Sequence, residues 1–377
     1  RPETERAFAR VVEALRQGQR QVAEVELAAL LEQAPNFRAG HWLQAEMYRA
    51  VAGDRAAEAV ADHLVAPVAL DRLQAELQAR AAAETAAPPD GYWPDVLIDV
   101  SGRHRSVIVV DLAASQLYLL ARDETGALRL VRRHYASIGE NGSHKRLEGD
   151  LRTPVGVYHV TRWIDGQTLP DLYGSGAFPV NYPNAWDRAL RRTGHGIWLH
   201  GVPRATYTRA PRSSEGCVTM ANDDLTALQA HIDIGQTPVV FADVLQWIAP
   251  TQVQGVRADW QARIEAWRGH WSARDTEAYL AHYDDAFTTE RMDRDAFAAH
   301  KRRVNAGKTF IDVRLRDLDL WRYPGPERPT VLAEFTQDYR SDTYSSVSRK
   351  QQFPVIVPPR RRSEIRPVGF RVEVGQK

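Results

Sequence analysis

The spacing of apolar residues changes twice along the 377-residue chain, and each change rules out a single continuous fold. Over 3–85 an Ala-rich stretch places Phe8, Val11, Val12, Leu15, Val22, Val25, Leu30 and Leu31 at helical spacing, with Pro35 and Asn36 breaking the first pair of helices. A Pro/Gly-rich junction at 86–95 ends it. From Val96 to Val244 short β runs replace the helical pattern, at 96–100, 106–112, 116–121, 128–137, 156–164, 196–201 and 238–244. One helix is expected between Val218 and Ile234, capped by Asn222 or Asp223. From Gln254 helical spacing returns through Trp260, Ile264, Trp267, Trp271 and Tyr279. Long alternating runs at 309–323, 330–341, 344–357 and 369–374 then suit one curved antiparallel sheet.

The expected fold class is therefore multidomain α+β. A helical module at 1–88 precedes a mostly-β sandwich or barrel-like domain at 89–248 and a cone-shaped α+β domain at 249–377. Residues 34–54 resemble the turn and second helix of a tetratricopeptide-type hairpin, although no 34-residue period runs through the module. With 44% hydrophobic and 26% charged residues the chain is ordinary folded protein, which excludes disordered and fibrous classes. Forty-nine basic against 48 acidic residues leave a net charge of +1, too small to draw the whole protein onto nucleic acid or anionic lipid. No apolar run reaches the roughly 18 residues that a spanning helix needs.

One Cys excludes an internal disulfide and a CxxC…CxxC zinc site, so Cys217 is either buried filler or a reactive thiol. Twelve His do not make a metal site either: HExxH is absent, and His195 and His200, five apart on a strand, point to opposite faces. No metal and no cofactor is expected. His195 reads as a sheet-end hydrogen-bonding residue.

The block 195–222 concentrates the chemistry: HGIWLHG, an Arg- and Tyr-rich loop, then SSEGCVTMAN. A thiol attacks as thiolate and needs a base or cation beside it. His200, at the end of an apolar strand, is the candidate base for Cys217, which follows Gly216 at the start of an expected helix. A Gly before the nucleophile lets successive N–H groups turn toward an oxyanion. The pattern by itself leaves a filler Cys and a core His open beside acyl transfer through a thioester.

That block resembles the signature of the L,D-transpeptidase (YkuD-like) catalytic domain, with His200, Gly201, Ser214, Gly216 and Cys217 in the motif positions. Residues 139–160, containing GDLRTPVGVY, resemble the family's upstream element, and 173–188 resemble a segment of Gram-negative members. The resemblance spans roughly 96–245. It implies a β-sandwich acting on peptidoglycan stem peptides at the L-to-D bond between meso-diaminopimelate and D-Ala, as L,D-carboxypeptidase or L,D-transpeptidase. Cys217 would be nucleophile, His200 base, and Gly201 the orienting carbonyl. The N–H groups of Glu215, Gly216 and Cys217 would form the oxyanion hole, with Ser214, Arg212, Arg209, Arg204, Tyr182 and Asn184 on substrate. The pattern departs at Glu215, where many members carry His or Arg, and at Thr219, where many carry Arg.

The domain order is similar to that of the helical-cell-shape L,D-carboxypeptidases, whose C-terminal domain is nuclear transport factor two-like. That likeness implies a periplasmic or envelope protein whose N-terminal signal has been removed ahead of Arg1. It also implies peptidoglycan stem peptides as partners, with no nucleic acid. A homodimer through the N-terminal helices and a wall or protein ligand in the C-terminal pocket are further expected partners. Trp260, Trp267, Trp271 and Trp321 are read either as the lining of that pocket or, by their helical spacing, as core. The alternative function is a non-catalytic cell-wall-binding scaffold.

Overall fold

The structure, a computed structural model, describes residues 3–52, 67–86, 88–289, 291–324, 330–355 and 369–376. Two compact units result, and the division does not follow the three sequence stretches. The N-terminal helices and most of the middle region form one unit. The segments Pro88–His104 and Pro183–Arg192 belong with the C-terminal unit.

In the first unit the described helices are Glu3–Arg16, Arg20–Gln33, Arg38–Ala52 and Pro67–Thr85. Their core is Phe8, Val11, Ala23, Leu27, Leu30, Leu31 and Phe37. The expected stripe was partly misplaced: Val22 and Val25 are 48% and 70% exposed, because small Ala23 and then Leu27 occupy the inward face.

The helical module is joined to the β region by a buried charge cluster. Arg80, 2% exposed, pairs with Glu5 and Glu76, donates to Thr208 Oγ1 at 2.9 Å, and lies 4.1 Å over the Tyr135 ring. Burial works against its charge, but Glu5 and Glu76 outweigh that and hold the guanidinium protonated.

The β region is a pair of packed sheets. The larger has strand order Leu128–Tyr135, Gln116–Arg122, Ser106–Asp111, Pro238–Ala242, Gly156–His159. The smaller runs Val218–Thr219, Trp198–His200, Gly176–Pro179, Ile164–Asp165. Ile108, Val110, Leu119, Tyr158, Phe178, Leu199, Val218 and Phe241 fill the space between them, so alternate residues of both sheets bury one face. The helix expected near 218–234 is Asn222–Gln229, preceded by Ala221 and without a side-chain cap; neither Asn222 nor Asp223 caps it.

The run at 96–100 leaves the β region. Leu97–Asp99 is the edge strand of the C-terminal sheet, antiparallel to Ile311–Tyr323. That six-stranded sheet continues through Thr330–Ser341, Ser345–Val355, Gly369–Gln376 and Tyr283–Thr289; the end of the expected 344–357 run lies outside the described residues. Helices Pro250–Ser272, Thr276–Leu280 and Arg294–Ala306 accompany it. Trp260, Trp267, Trp271 and Trp321 are 0–6% exposed. The first three belong to the aromatic core with Tyr279, Tyr283 and Phe297, so the core reading of these tryptophans is the correct one and the pocket-lining one is not. Trp321 Nε1 instead donates to the buried Glu334 carboxylate at 3.0 Å. No helix among the described residues is long and apolar enough to cross a membrane.

Candidate active site

His200 ends the strand Trp198–His200, which pairs in parallel with Val218–Thr219, with Leu199 opposite Val218 and His200 opposite Thr219. Side chains alternate along a strand, so Leu199 and Val218 enter the core while Trp198, His200, Cys217 and Thr219 share the other face. Cys217 is thereby a diagonal neighbour of His200. It precedes a two-residue strand and not a helix, which starts five residues later.

The imidazole is fixed on two sides. Its Nδ1 lies 2.7 Å from Gly201 O; a carbonyl can only accept, so Nδ1 carries the proton and Nε2 keeps its lone pair. The Tyr173 ring stands edge-on at 4.9 Å, and Trp198 packs on Tyr173 at 5.0 Å. Burial pulls the His200 pKa down to about 4, with Gly201 opposing and Arg209 reinforcing that shift. The Cys217 thiol is part-buried, with Sγ 3.4 Å from Gly196 O. Burial pushes it up to about 11, while the Trp198 amide, Arg209 and Lys145 favour the thiolate and Glu215 opposes it. The resting pair is thus a neutral thiol beside a neutral imidazole. Such an arrangement can pass a proton from sulfur to nitrogen as the sulfur attacks.

Backbone geometry forces glycine at two positions. Gly216 has φ +125°, and a Cβ there would lie 2.7 Å from Arg152 O. At Gly201 a Cβ would lie 2.1 Å from Asn222 Oδ1. That Asn222 amide fastens the turn after His200 to the turn after Tyr173: Oδ1 accepts from Ser175 N at 2.8 Å and Val202 N at 3.2 Å, and Nδ2 donates to Val202 O at 2.9 Å. Thr153 of the upstream element is fully buried, accepts from Gly139 N and donates to Gly216 O at 3.0 Å, so that element braces the Cys217 turn.

The expected site residues divide. Gly201 O holds His200 Nδ1 at 2.7 Å, and the charge of Arg209 reaches both His200 and Cys217. Gly216 N donates to Ser214 Oγ at 3.1 Å and Ser214 Oγ donates to Cys217 O at 2.6 Å. Ser214 is therefore a buried brace of the turn and not a substrate contact, and the Gly216 amide is already engaged and is not an oxyanion donor. The amides of Glu215 and Cys217 have no acceptor among the described residues.

Tyr182 and Asn184 are corrected as well. Tyr182 is 6% exposed in the sandwich core with its hydroxyl on Thr193 O, and Asn184 caps the helix Ala185–Ala189 and donates to Tyr323 in the C-terminal unit. Arg204 is exposed and paired with Asp171 at 3.3 Å. Arg212 is exposed on the strand Arg212–Ser214. His195 is also exposed, with Nε2 3.6 Å from Glu148. Tyr173, Trp198 and Lys145 also surround the site, as does Asn222, which the sequence offered only as a helix cap. Alternation along the strand from His200 was the signal for Trp198. Among the described residues no group of three or more His, Cys, Asp or Glu could hold a metal ion.

Residues 105–241 match the L,D-transpeptidase catalytic domain family (YkuD), and residues 259–360 match the Cds6 C-terminal NTF2-like domain. Among solved structures the chain is similar to Bd1075 of Bdellovibrio bacteriovorus, with 26% identity over 75% of this chain and 98% of that one, at a TM-score of 0.63. It is also similar to the helical cell shape determining protein Pgp2 of Campylobacter jejuni, with 23% identity over 75% of this chain and 93% of that one, at a TM-score of 0.60. A search of curated proteins found no match.

Proposed function

For a chain that carries an L,D-transpeptidase catalytic domain followed by a C-terminal NTF2-like domain, we propose a peptidoglycan-remodelling cysteine enzyme. It opens the L-to-D bond between meso-diaminopimelate and D-Ala of tetrapeptide stems. The observation that carries this reading is the placement of His200 on a strand paired in parallel with Val218–Thr219, which Cys217 immediately precedes, with Nδ1 of His200 held by Gly201 O.

Cys217 Sγ attacks the diaminopimelate carbonyl while His200 Nε2 takes the thiol proton, which avoids a free thiolate that burial disfavours. The carbonyl oxygen becomes an oxyanion facing the amides of Glu215 and Cys217, a donor type worth about 10²–10³ in rate. Collapse breaks the C–N bond, His200 returns its proton to the departing D-Ala amine, and a thioester on Cys217 remains. Water activated by His200 then gives the tripeptide, the L,D-carboxypeptidase outcome; an amine gives a cross-link or exchange. The domain order, shared with a protein described as determining helical cell shape, favours trimming and a role in cell shape. The same reading puts the protein in the periplasm or cell envelope. It includes a homodimer through the N-terminal helices, supported by exposed Val22 and Val25; a monomeric sedimentation profile removes the dimer.

The test is incubation with disaccharide tetrapeptide and pentapeptide, with and without a free D-amino acid, and mass analysis of the products. Loss of D-Ala to water that disappears in Cys217→Ala is expected. Cross-linked dimers or exchange would make the enzyme a transpeptidase, and no Cys217-dependent product would leave the wall-binding scaffold.

A further inference from the structure

Within the compact unit that holds Cys217, a groove of about 820 Å³ is lined by the helices Arg38–Ala52 and Pro67–Thr85, by the loop 203–210 and by Ser213 of the strand Arg212–Ser214. We infer that this groove is a binding subsite for an acidic peptide, the stem-peptide portion lying away from the bond that is cut. The inference rests on the proposed function for the identity of that peptide, and on the groove itself for its chemistry.

Three features carry it. The first is position: Arg209 and Ser213 line the groove, and the charge of Arg209 also reaches Cys217 and His200. Ser213 adjoins Ser214, whose hydroxyl is bonded to Gly216 N and Cys217 O, so the groove wall is continuous in sequence with the Cys217 turn.

The second is charge. Arg38 and Arg209 have no carboxylate partner among the described residues; Arg209 Nη2 makes a 3.4 Å contact with Leu172 O. Arg72, at the rim, is 3.6 Å from Glu140. The one carboxylate lining the groove, Glu76, is buried and taken up by Arg80 and Thr208. His41 is also engaged, through Pro35 O at 2.9 Å. The free charge that faces a ligand is therefore cationic and carried by guanidinium groups, which suit carboxylates. A tetrapeptide stem carries several carboxylates and little cationic charge.

The third is shape. Trp42, Leu70 and Leu73 give an apolar wall for the methyl and methylene groups between those carboxylates, and the volume lies within the range of small-ligand clefts. The opposite wall is set in advance: Tyr135 and Ser137 hydroxyls both donate to Arg209 O at 2.9 Å, and Asn36 Nδ2 donates to Arg204 O at 3.2 Å. Little ordering is left to be done on binding.

The experiment is calorimetric titration of the full chain, in a Cys217→Ala background that prevents turnover, with disaccharide tetrapeptide and with the same ligand amidated at its free carboxylates. Arg38→Glu reverses the charge at an exposed position in the first turn of a helix, where an acidic residue is favourable, so the variant is expected to fold. Its Kd should rise about tenfold or more, the amidated ligand should bind weakly to both proteins, and Trp42→Ala should weaken binding of both ligands. In the active chain Arg38→Glu should raise KM with kcat within twofold. A Kd that Arg38→Glu leaves within twofold, or a tetrapeptide that does not bind at all, overturns the subsite. Turnover with no Arg38 dependence removes the subsite and leaves the proposed function; Arg38-dependent binding without turnover in the parent chain does the reverse.

Discussion

Arg80 Nη2 donates to Thr208 Oγ1 at 2.9 Å, joining the helix Pro67–Thr85 to the loop that leads into the Cys217 turn. The same guanidinium neutralises Glu5 and Glu76, which are 8% and 3% exposed. Removing one partner from such a cluster strands buried charge and costs about 3–5 kcal/mol, whereas replacing the whole set costs far less. Arg80→Met should lower the denaturation midpoint accordingly, and Arg80→Met with Glu5→Gln and Glu76→Gln should recover most of the loss. Denaturant titration of the three proteins decides it; equal loss in the single and triple variants would show that packing, not charge, holds the module.

A thiol raised to about 11 is almost wholly protonated near pH 7. Alkylation by iodoacetamide should therefore be about two orders of magnitude slower at pH 7 than for a free thiol with a pKa of about 8.5, and should climb with pH to beyond 10. The rate of peptide cleavage should not follow it. With His200 neutral above about pH 4 and the thiol protonated below about pH 11, kcat/KM should stay flat from pH 6 to 9. An alkylation profile with its midpoint below pH 7 would mean a resting thiolate–imidazolium pair instead.

His200 also links the fold to acid. Its folded pKa, about 4, lies below the unfolded value near 6.5, so the unfolded chain takes up the proton first. Its contribution is complete above pH 6.5 and is lost as pH falls toward 4, by about 3 kcal/mol in all. Stability curves of the native chain and His200→Gln should converge over that window; parallel curves would show that His200 is not kept neutral.

Helix content and strand positions were legible where the pattern was repetitive and buried. Ile108 and Val110 face the sandwich core as their alternation requires, and Trp260, Ile264 and Trp267 form a stripe at helical spacing. Leu97–Asp99 was assigned to the wrong sheet because its short apolar run fits either one, and its partner, Ile311–Tyr323, lies more than 200 residues away. Chemistry and resemblance singled out Cys217 and His200 as candidates, and the structure puts them at neighbouring places on paired strands. The roles of Ser214 and Asn184 could not be picked in that way, because a polar side chain beside a motif reads alike whether it braces a turn, caps a helix or meets a ligand; the hydrogen bonds to Cys217 O and Tyr323 decide it.

Asn222 illustrates that ambiguity and offers a sharp test. Its amide makes three hydrogen bonds that tie the turn after His200 to the one carrying Tyr173. Asn222→Ala leaves Ser175 N and both Val202 groups without that partner, at a cost of about 1–3 kcal/mol. It should also loosen the Tyr173–His200 contact, so kcat should fall by tenfold or more while KM changes little. Asn222→Asp keeps the Oδ1 acceptor and loses the Nδ2 donor to Val202 O, and should fall between the two in both stability and kcat. A stability loss without any change in kcat would make Asn222 a brace for the fold alone, and the Tyr173 contact would then not depend on it.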